Sequence, residues 1–163
     1  IVKNRPVVVA LNTQSSIAQS LIAIRVACHP VRLLADCSAH AELPQPLITP
    51  ASMLPEDVSD SLKDKKLLDY GLSIESDKFS FGEHSCVLPT SLVICYALAT
   101  ITSGKASKLL MAGFDGYSAD DPRNSEMNKL MKLYSSKEQA LELLSVTPTR
   151  YEIKSQSIYG LMG

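Results

Sequence analysis

Apolar and polar positions fall in blocks along this chain, and the blocks set the expected elements. Residues 7–11 (VVVAL) form a continuous apolar run after Pro6, the pattern of a strand buried on both faces of a parallel sheet. The run ends in Asn12-Thr13-Gln14-Ser15-Ser16, where Ser15 or Ser16 is placed to cap a helix beginning near Ile17. Residues 21–27 give a second apolar strand with Arg25 as its one charge, leading into Cys28-His29-Pro30-Val31-Arg32. Residues 30–40 read as a helix with Val31, Leu34 and Ala35 inward. After the rigid connector Leu43-Pro44-Gln45-Pro46, Leu47-Ile48-Thr49 makes a short strand stopped by Pro50. Ser52 then caps a helix carrying Glu56 and Asp57 early and Lys63, Lys65 and Lys66 late, as the helix dipole favours. Leu67, Leu68, Tyr70 and Leu72 continue into a fourth strand.

In the second half, residues 77–85 are polar with Phe79 and Phe81 alternating, which suggests a hairpin-like excursion. Leu88-Pro89-Thr90-Ser91 opens the most apolar helix, 92–102, whose Leu92, Val93, Ile94, Ala97, Leu98 and Ile101 leave almost no solvent face. Such a helix belongs against a sheet. Residues 109–112 (LLMA) form a strand that runs into Gly113 and a loop holding Asp115, Tyr117, Asp120, Asp121 and Arg123. A helix over 124–134 presents Met127, Leu130, Met131 and Tyr134 at helical spacing, and 138–144 continues helical. Val146-Thr147 reads as the last strand, and the tail 155–163, with Ser157 and Tyr159, as peripheral. The expected fold is therefore α/β: a three-layer, Rossmann-like domain with a mostly parallel sheet of about six strands and helices on both faces.

Composition narrows the function classes. The 163 residues fit one domain, 1–163, and 45% hydrophobic with 20% charged residues is ordinary for a globular protein. Sixteen basic residues against seventeen acidic ones, with no basic run, argue against a nucleic-acid footprint or a polybasic membrane patch. The apolar run 92–101 is too short to cross a bilayer, which takes about 20 residues. Cys28, Cys37, Cys86 and Cys95 form no C-x-x-C pair and no zinc-like cluster with His29, His40 or His84. Reduced core thiols in a cytoplasmic protein are expected. The start, IVKNRPVVVALN, lacks an initiator Met and runs almost at once into a strand, which reads as part of a longer chain.

Candidate chemistry gathers where strands end. A strand, a polar turn and a helix start at Asn12 and Ser15 can make an anion site, although a plain capped turn explains the same residues. The glycines of a phosphate loop or dinucleotide fingerprint are missing. His29 stands just past a strand end, either as a turn histidine bonded to a carbonyl or as a general base, with Arg32 suited to phosphate or carboxylate. Thr90 and Ser91 put two hydroxyls at a helix start, a second place for an anion. His84 is either a solvated loop residue or part of a lid. Asp115, Asp120 and Asp121 can take hydroxyls or a divalent metal such as magnesium, while helix capping beside Pro122 accounts for Asp120 and Asp121 equally well. No cofactor is required by these residues.

Four segments carry a resemblance: VACHPVRLLAD, LPQPLITPASMLP, the long stretch from VLPTSLVICYALATITSGKASKLLMAGFDGYSADDPRNSEMNKLM, and TPTRYEIKSQSIYG. Together they resemble the C-terminal region of aldolases (HMG-CoA-lyase-like, 4-hydroxy-2-oxovalerate-aldolase-like) from bacterial surface-polysaccharide gene clusters. That resemblance implies a metal-dependent aldolase barrel preceding this region as its partner. The chain itself has no H-x-H pair, so lyase chemistry is not expected in it. A weaker similarity runs to Rossmann-like bacterial sialyltransferases and motility-accessory-factor domains, carried by Asn12 with Ser15, Thr90 with Ser91, and Gly113 with Asp115. In the sialyltransferases the first two clusters contact the nucleotide of a sugar nucleotide. Here Thr13 and Leu92 stand where that family has glycines.

The expected function is binding of a nucleotide, sugar nucleotide or phosphorylated sugar in surface-glycan synthesis, with glycosyltransferase-like chemistry. Asn12, Ser15, Thr90 and Ser91 would line the nucleotide side, Asp115, Asp121 and Arg123 would hold hydroxyls or a metal, and Gly113 and Tyr117 would join the ligand site. Arg32, Arg123 and Arg150 are the available cations, and His29, His84 and Asp115 the acid–base candidates. The alternatives are a non-catalytic accessory or oligomerisation domain of the aldolase, which would add a second copy of the chain as a partner, and a magnesium-dependent phosphate-ester hydrolase.

Overall fold

A computed structural model describes residues 6–118 and 120–161. The first five residues, Ala119 in the acidic loop and the last two residues of the tail lie outside the described residues. Within them the chain is mixed α/β and forms two compact units, 6–100 and 101–161. The division between the two units falls within one helix, residues 93–103.

In the first unit, β1 (Val9–Leu11), β2 (Ile24–Val26), β3 (Leu47–Thr49) and β4 (Leu67–Asp69) build a parallel sheet in sequence order. The helices α1 (Pro30–Glu42) and α2 (Glu56–Ser61) lie between successive strands and pack together. Strands added one after another in the same direction put their crossovers on one face. The register pairs Ala10 with Arg25, Arg25 with Leu47, and Leu47 with Leu67, so these four side chains share a face. That face is the helix side, because Ala27, Leu33, Leu47, Val58 and Leu62 form one buried cluster with Cys37, Leu54 and Leu67 against it.

Several expected details move. No helix begins near Ile17; the stretch after Asn12 holds only a 3-10 turn at Gln19–Leu21, so neither Ser15 nor Ser16 caps one. In α1 the inward residues are Leu33, Cys37 and His40, whereas Val31 and Leu34 are 69% and 55% exposed and Ala35 is exposed too. Both stripes have helical spacing, and the one that the crossover geometry turns toward Leu47 is buried. Ser52 sits in a 3-10 turn, Ala51–Met53, and α2 starts after Pro55, so the three lysines lie beyond its end. The fourth strand divides at Tyr70 into β4 and β5 (Gly71–Ile74), which join different sheets.

β5 pairs in parallel with β7 (Ser85–Leu88), and β6 (Ser80–Phe81) pairs antiparallel with β7. This is the expected hairpin, with Phe79 buried edge-on to Phe81. α3 (Val93–Ser103) buries Ile94 through Ala99 without a break, as its all-round apolar sequence requires.

In the second unit β8 (Leu109–Met111), β9 (Leu143–Ser145) and β10 (Lys154–Ser155) form a parallel sheet in the order β10-β9-β8, with α4 (Pro122–Ser135) between β8 and β9. Met131 and Tyr134 are buried; Met127 and Leu130 are half-buried. Residues 138–142 are a turn, not a helix, because the Tyr134 hydroxyl accepts the Leu141 amide at 2.9 Å and turns the chain into β9. The strand after α4 is therefore 143–145 rather than Val146-Thr147, and β10 follows it. Among the described residues the strands form a four-stranded parallel sheet, a three-stranded parallel sheet and a three-stranded mixed one, and one sheet of about six is not seen.

His40 gives the first unit a pH dependence. It is 1% exposed, its Nδ1 has no hydrogen-bond partner among the described residues, and burial lowers its pKa below the usual 6.5. The nearby Lys65 and Arg25 charges push the same way and Asp36 opposes them. The unfolded chain therefore takes up this proton first as pH falls, so the stability tied to His40 is fully present above 6.5 and is lost below it. Urea midpoints should fall between about pH 7 and pH 5, and His40→Leu should flatten that slope. An unchanged slope in His40→Leu would assign it to other groups.

Candidate functional site

The carboxyl ends of β1 and β2 meet the start of α3 inside the first unit. The Asn12 amide donates to the Val26 carbonyl at 2.9 Å, which holds the first turn beside the end of β2. Two residues on, the Cys28 thiol donates to the Ser91 carbonyl at 3.3 Å and ties the same strand end to the turn before α3. Asn12, His29, Thr90 and Ser91 are thereby gathered at one edge, the edge where open α/β sheets place ligands. Asn12 adopts φ +53°, in the left-handed region, and so turns the chain at the position before Thr13 without the glycine of the sialyltransferase turn.

His29 is the residue before α1, with Pro30 at the first helical position. Its carbonyl accepts the Leu33 amide at 2.9 Å, yet its ring nitrogen Nδ1 is buried and unpartnered among the described residues. The carbonyl-bonded turn histidine is therefore not what is seen. An unsatisfied buried ring nitrogen calls for a functional or solvent partner. Arg32 lies in the first turn of the same helix with an exposed side chain. The Ser15 hydroxyl accepts the Ile17 amide at 3.1 Å, a local turn bond. His84 is elsewhere: it occupies the β6–β7 turn at the amino end of β7, whereas Thr90 follows the carboxyl end, and its side chain is 88% exposed. A lid or acid–base role for His84 at this edge has no geometric support.

The interior beneath the edge is built around Arg25, wholly buried on β2. Its Nη1 donates to the carbonyls of Asn12 at 2.7 Å and Thr13 at 3.1 Å, its Nη2 to Gln19 Oε1 at 2.9 Å, and its Nε to Gln45 Oε1 at 3.0 Å. Gln45 Nε2 closes the network on the Gln19 carbonyl at 2.8 Å. Sequence reasoning found Arg25 only as a lone charge. The usable signal was its position in the middle of an apolar strand, where a guanidinium must find buried acceptors, with Gln45 between two prolines as one of them.

The thiol of Cys28 is kept protonated. Burial, then the neighbouring Cys86 and Cys95, push its pKa to about 12, and burial does the same for Cys86. The four cysteines are free, and Cys28 acts as a hydrogen-bond donor rather than a nucleophile.

Gly113, Asp115, Tyr117, Asp121, Arg123 and Arg150 belong to the second unit. There the loops after β8 and β9 are latched together. The Gly113 amide donates to Thr147 Oγ1 at 2.9 Å, Thr149 Oγ1 donates to the Phe114 carbonyl at 2.6 Å, and the Arg150 amide donates to the Asp115 carbonyl at 2.9 Å. Gly116, at φ +86°, leaves no room for a side chain, since a Cβ would stand 3.0 Å from Arg150 Cβ and 3.3 Å from its backbone nitrogen. Asp115 thus contributes its backbone, and its carboxylate is exposed.

Asp121 caps α4 through the Arg123 amide and pairs with the Arg123 guanidinium at 2.6 Å. These bonds hold its pKa below the carboxylate range. Arg123 also lies 4.2 Å from the Tyr117 ring centroid. Asp121 and Arg123 are consequently engaged with each other and with the helix, as capping predicted. Among the described residues no group of three or more His, Cys, Asp or Glu side chains is arranged to hold a metal, which leaves Asp115, Asp120 and Asp121 without the geometry of a magnesium site. A shallow cavity of about 370 Å³ in this unit, lined by Ser135, Leu141, Glu142, Glu152 and Lys154, opens at the amino end of β9, away from all these residues.

Among the described residues, no helix is long and apolar enough to cross a membrane. No protein-family model, no curated protein and no solved structure matches this chain.

Proposed function

We propose that the chain binds a nucleotide, sugar nucleotide or phosphorylated sugar at the edge formed by Asn12, His29, Arg32, Thr90 and Ser91, within a longer aldolase-like protein of surface-glycan synthesis. The observation that carries the reading is the Cys28–Ser91 bond, which draws the end of β2 and the start of α3 together around a histidine whose Nδ1 lacks a partner among the described residues. The start of an eleven-residue helix, with the Thr90 and Ser91 hydroxyls before it, suits an anionic group. The Arg32 guanidinium at the start of α1 supplies positive charge for a phosphate leaving group.

In a glycosyl transfer the acceptor oxygen attacks the anomeric carbon as the carbon–oxygen bond to the phosphate breaks; the His29 imidazole takes the acceptor's proton, and Arg32 and the start of α3 hold the departing phosphate. His84 drops out of this scheme. Asp121 and Arg123 support the start of α4, and Asp115 and Arg150 join two loops of the second unit.

Isothermal titration with cytidine and uridine mono- and diphosphates tests the reading. Saturable binding of at least one, weakened by Ser91→Ala or Arg32→Ala by about tenfold, is expected. Silence across the panel at millimolar concentration would remove it in favour of an accessory domain, for which the exposed Val31 and Leu34 of α1 are the contact candidates.

A further inference from the structure

Arg25 presents a problem that the fold alone does not solve. It is fully buried, yet all four of its hydrogen-bond acceptors are neutral: two backbone carbonyls and two glutamine oxygens. A desolvated cation without a carboxylate partner is costly, and native structures retain one where something else supplies the counter-charge.

The two carbonyls say where that counter-charge belongs. Every described peptide bond is trans and planar, so a carbonyl and the amide hydrogen that follows it point in opposite directions. The Asn12 and Thr13 carbonyls point inward to Nη1, so the Thr13 and Gln14 amides point the other way, out of the interior. The turn surfaces here, since Thr13 is half-buried and Gln14 exposed, and neither amide has an acceptor among the described residues. Two successive outward amides at a residue of left-handed conformation make a concavity of positive partial charge, and here a full positive charge stands directly behind it.

The geometry points to the turn at Asn12-Thr13-Gln14 as a receptor for a phosphate or phosphoester, with Arg25 as the positioning residue that fixes its amides outward and supplies its counter-charge from within. This rests on the proposed function and deepens it by adding the first turn to Arg32 and the start of α3 as a phosphate contact, with Arg25 behind it. Arg25 does not touch the ligand. It acts through two peptide units, so its contribution survives burial while the anion remains at the surface.

Gln19→Glu separates this role from a structural one. The substitution is nearly isosteric and keeps an oxygen acceptor beside Nη2, but it gives Arg25 an adjacent carboxylate of this chain. A merely structural Arg25 would then gain stability and leave anion binding alone. The receptor instead loses its charge. The test is a titration of the ¹⁵N-labelled chain with inorganic phosphate and pyrophosphate, following the Thr13 and Gln14 amides, alongside the thermal midpoint.

In the unsubstituted chain these two amides should shift saturably. In Gln19→Glu the affinity should fall about tenfold or more while the thermal midpoint holds or rises. Equal affinities in the two chains, or no shift at Thr13 and Gln14 in the unsubstituted chain, overturn the inference. The two readings fail separately. Phosphate binding at these amides without any nucleotide binding would remove the proposed function and keep the receptor. Nucleotide binding that leaves Thr13 and Gln14 unmoved would do the reverse.

Discussion

Arg25→Ala is expected to destabilise the first unit by about 3 kcal/mol or more. Three effects enter. Removing the guanidinium strands the buried Gln45 oxygen and the part-buried Asn12 and Thr13 carbonyls, while the exposed Gln19 can turn to water, and each buried acceptor left unmade costs about 1–3 kcal/mol. It also opens a cavity, because Arg25 is the largest wholly buried side chain among the described residues. Against these stands the relief of burying an uncompensated charge, a cost visible in the lowering of the Arg25 pKa by desolvation.

The first two should win, since the carbonyls of the left-handed turn accept from no second donor among the described residues. Arg25→Met, which restores most of the volume but no donors, should lie between the alanine variant and the unsubstituted chain. Urea unfolding followed by circular dichroism measures both. A loss below about 1 kcal/mol in Arg25→Ala would mean that water replaces the guanidinium and that the turn does not depend on it.

Leu62→Ala carries the second large effect, in the upper half of about 2–5 kcal/mol. Leu62 is fully buried just past α2 and packs with Leu33, Leu47 and Val58 in the cluster that fastens both helices to the sheet. α2 has only six residues, too few to stand without tertiary packing, so the site has little capacity to relax around the missing atoms. Val31→Ala makes the contrast: Val31 is 69% exposed on α1, and its truncation should change stability by no more than about 0.5 kcal/mol. The same urea measurement checks the pair. Equal losses would place Val31 and Leu34 inward, as the sequence pattern alone suggested.

Strand existence was largely legible, because runs such as 7–11 and 109–112 have no polar residue to spend on a solvent face. What the runs do not encode is which sheet each strand joins. Nothing in Leu67, Leu68, Tyr70 and Leu72 marks the break at Tyr70, which arises because Thr49 and His84 offer carbonyls to successive amides of the chain there, Tyr70 and Gly71. The α1 face was misread because two apolar stripes of helical spacing coexist, and only the tertiary crossover selects Leu33, Cys37 and His40.

Of the candidate site, the edge residues Asn12, His29, Thr90 and Ser91 were visible as polar groups following apolar runs. The network under them was not, since Arg25, Gln19 and Gln45 are scattered in sequence and meet only in space. The Gly113–Arg123 stretch looked like a ligand loop for a related reason. Loop latching and helix capping draw on the same small polar residues as ligand binding, and its partners Thr147, Thr149 and Arg150 come from the far side of α4 and β9.

The most direct test of the phosphoester site is a map of amide shifts over the whole chain on titration with cytidine diphosphate. The expected result is saturable movement at Asn12, Thr13, Gln14, His29, Thr90 and Ser91, with Gly113, Asp115 and Arg123 unmoved. Movement confined to Gly113–Arg123, or none at all, would contradict it.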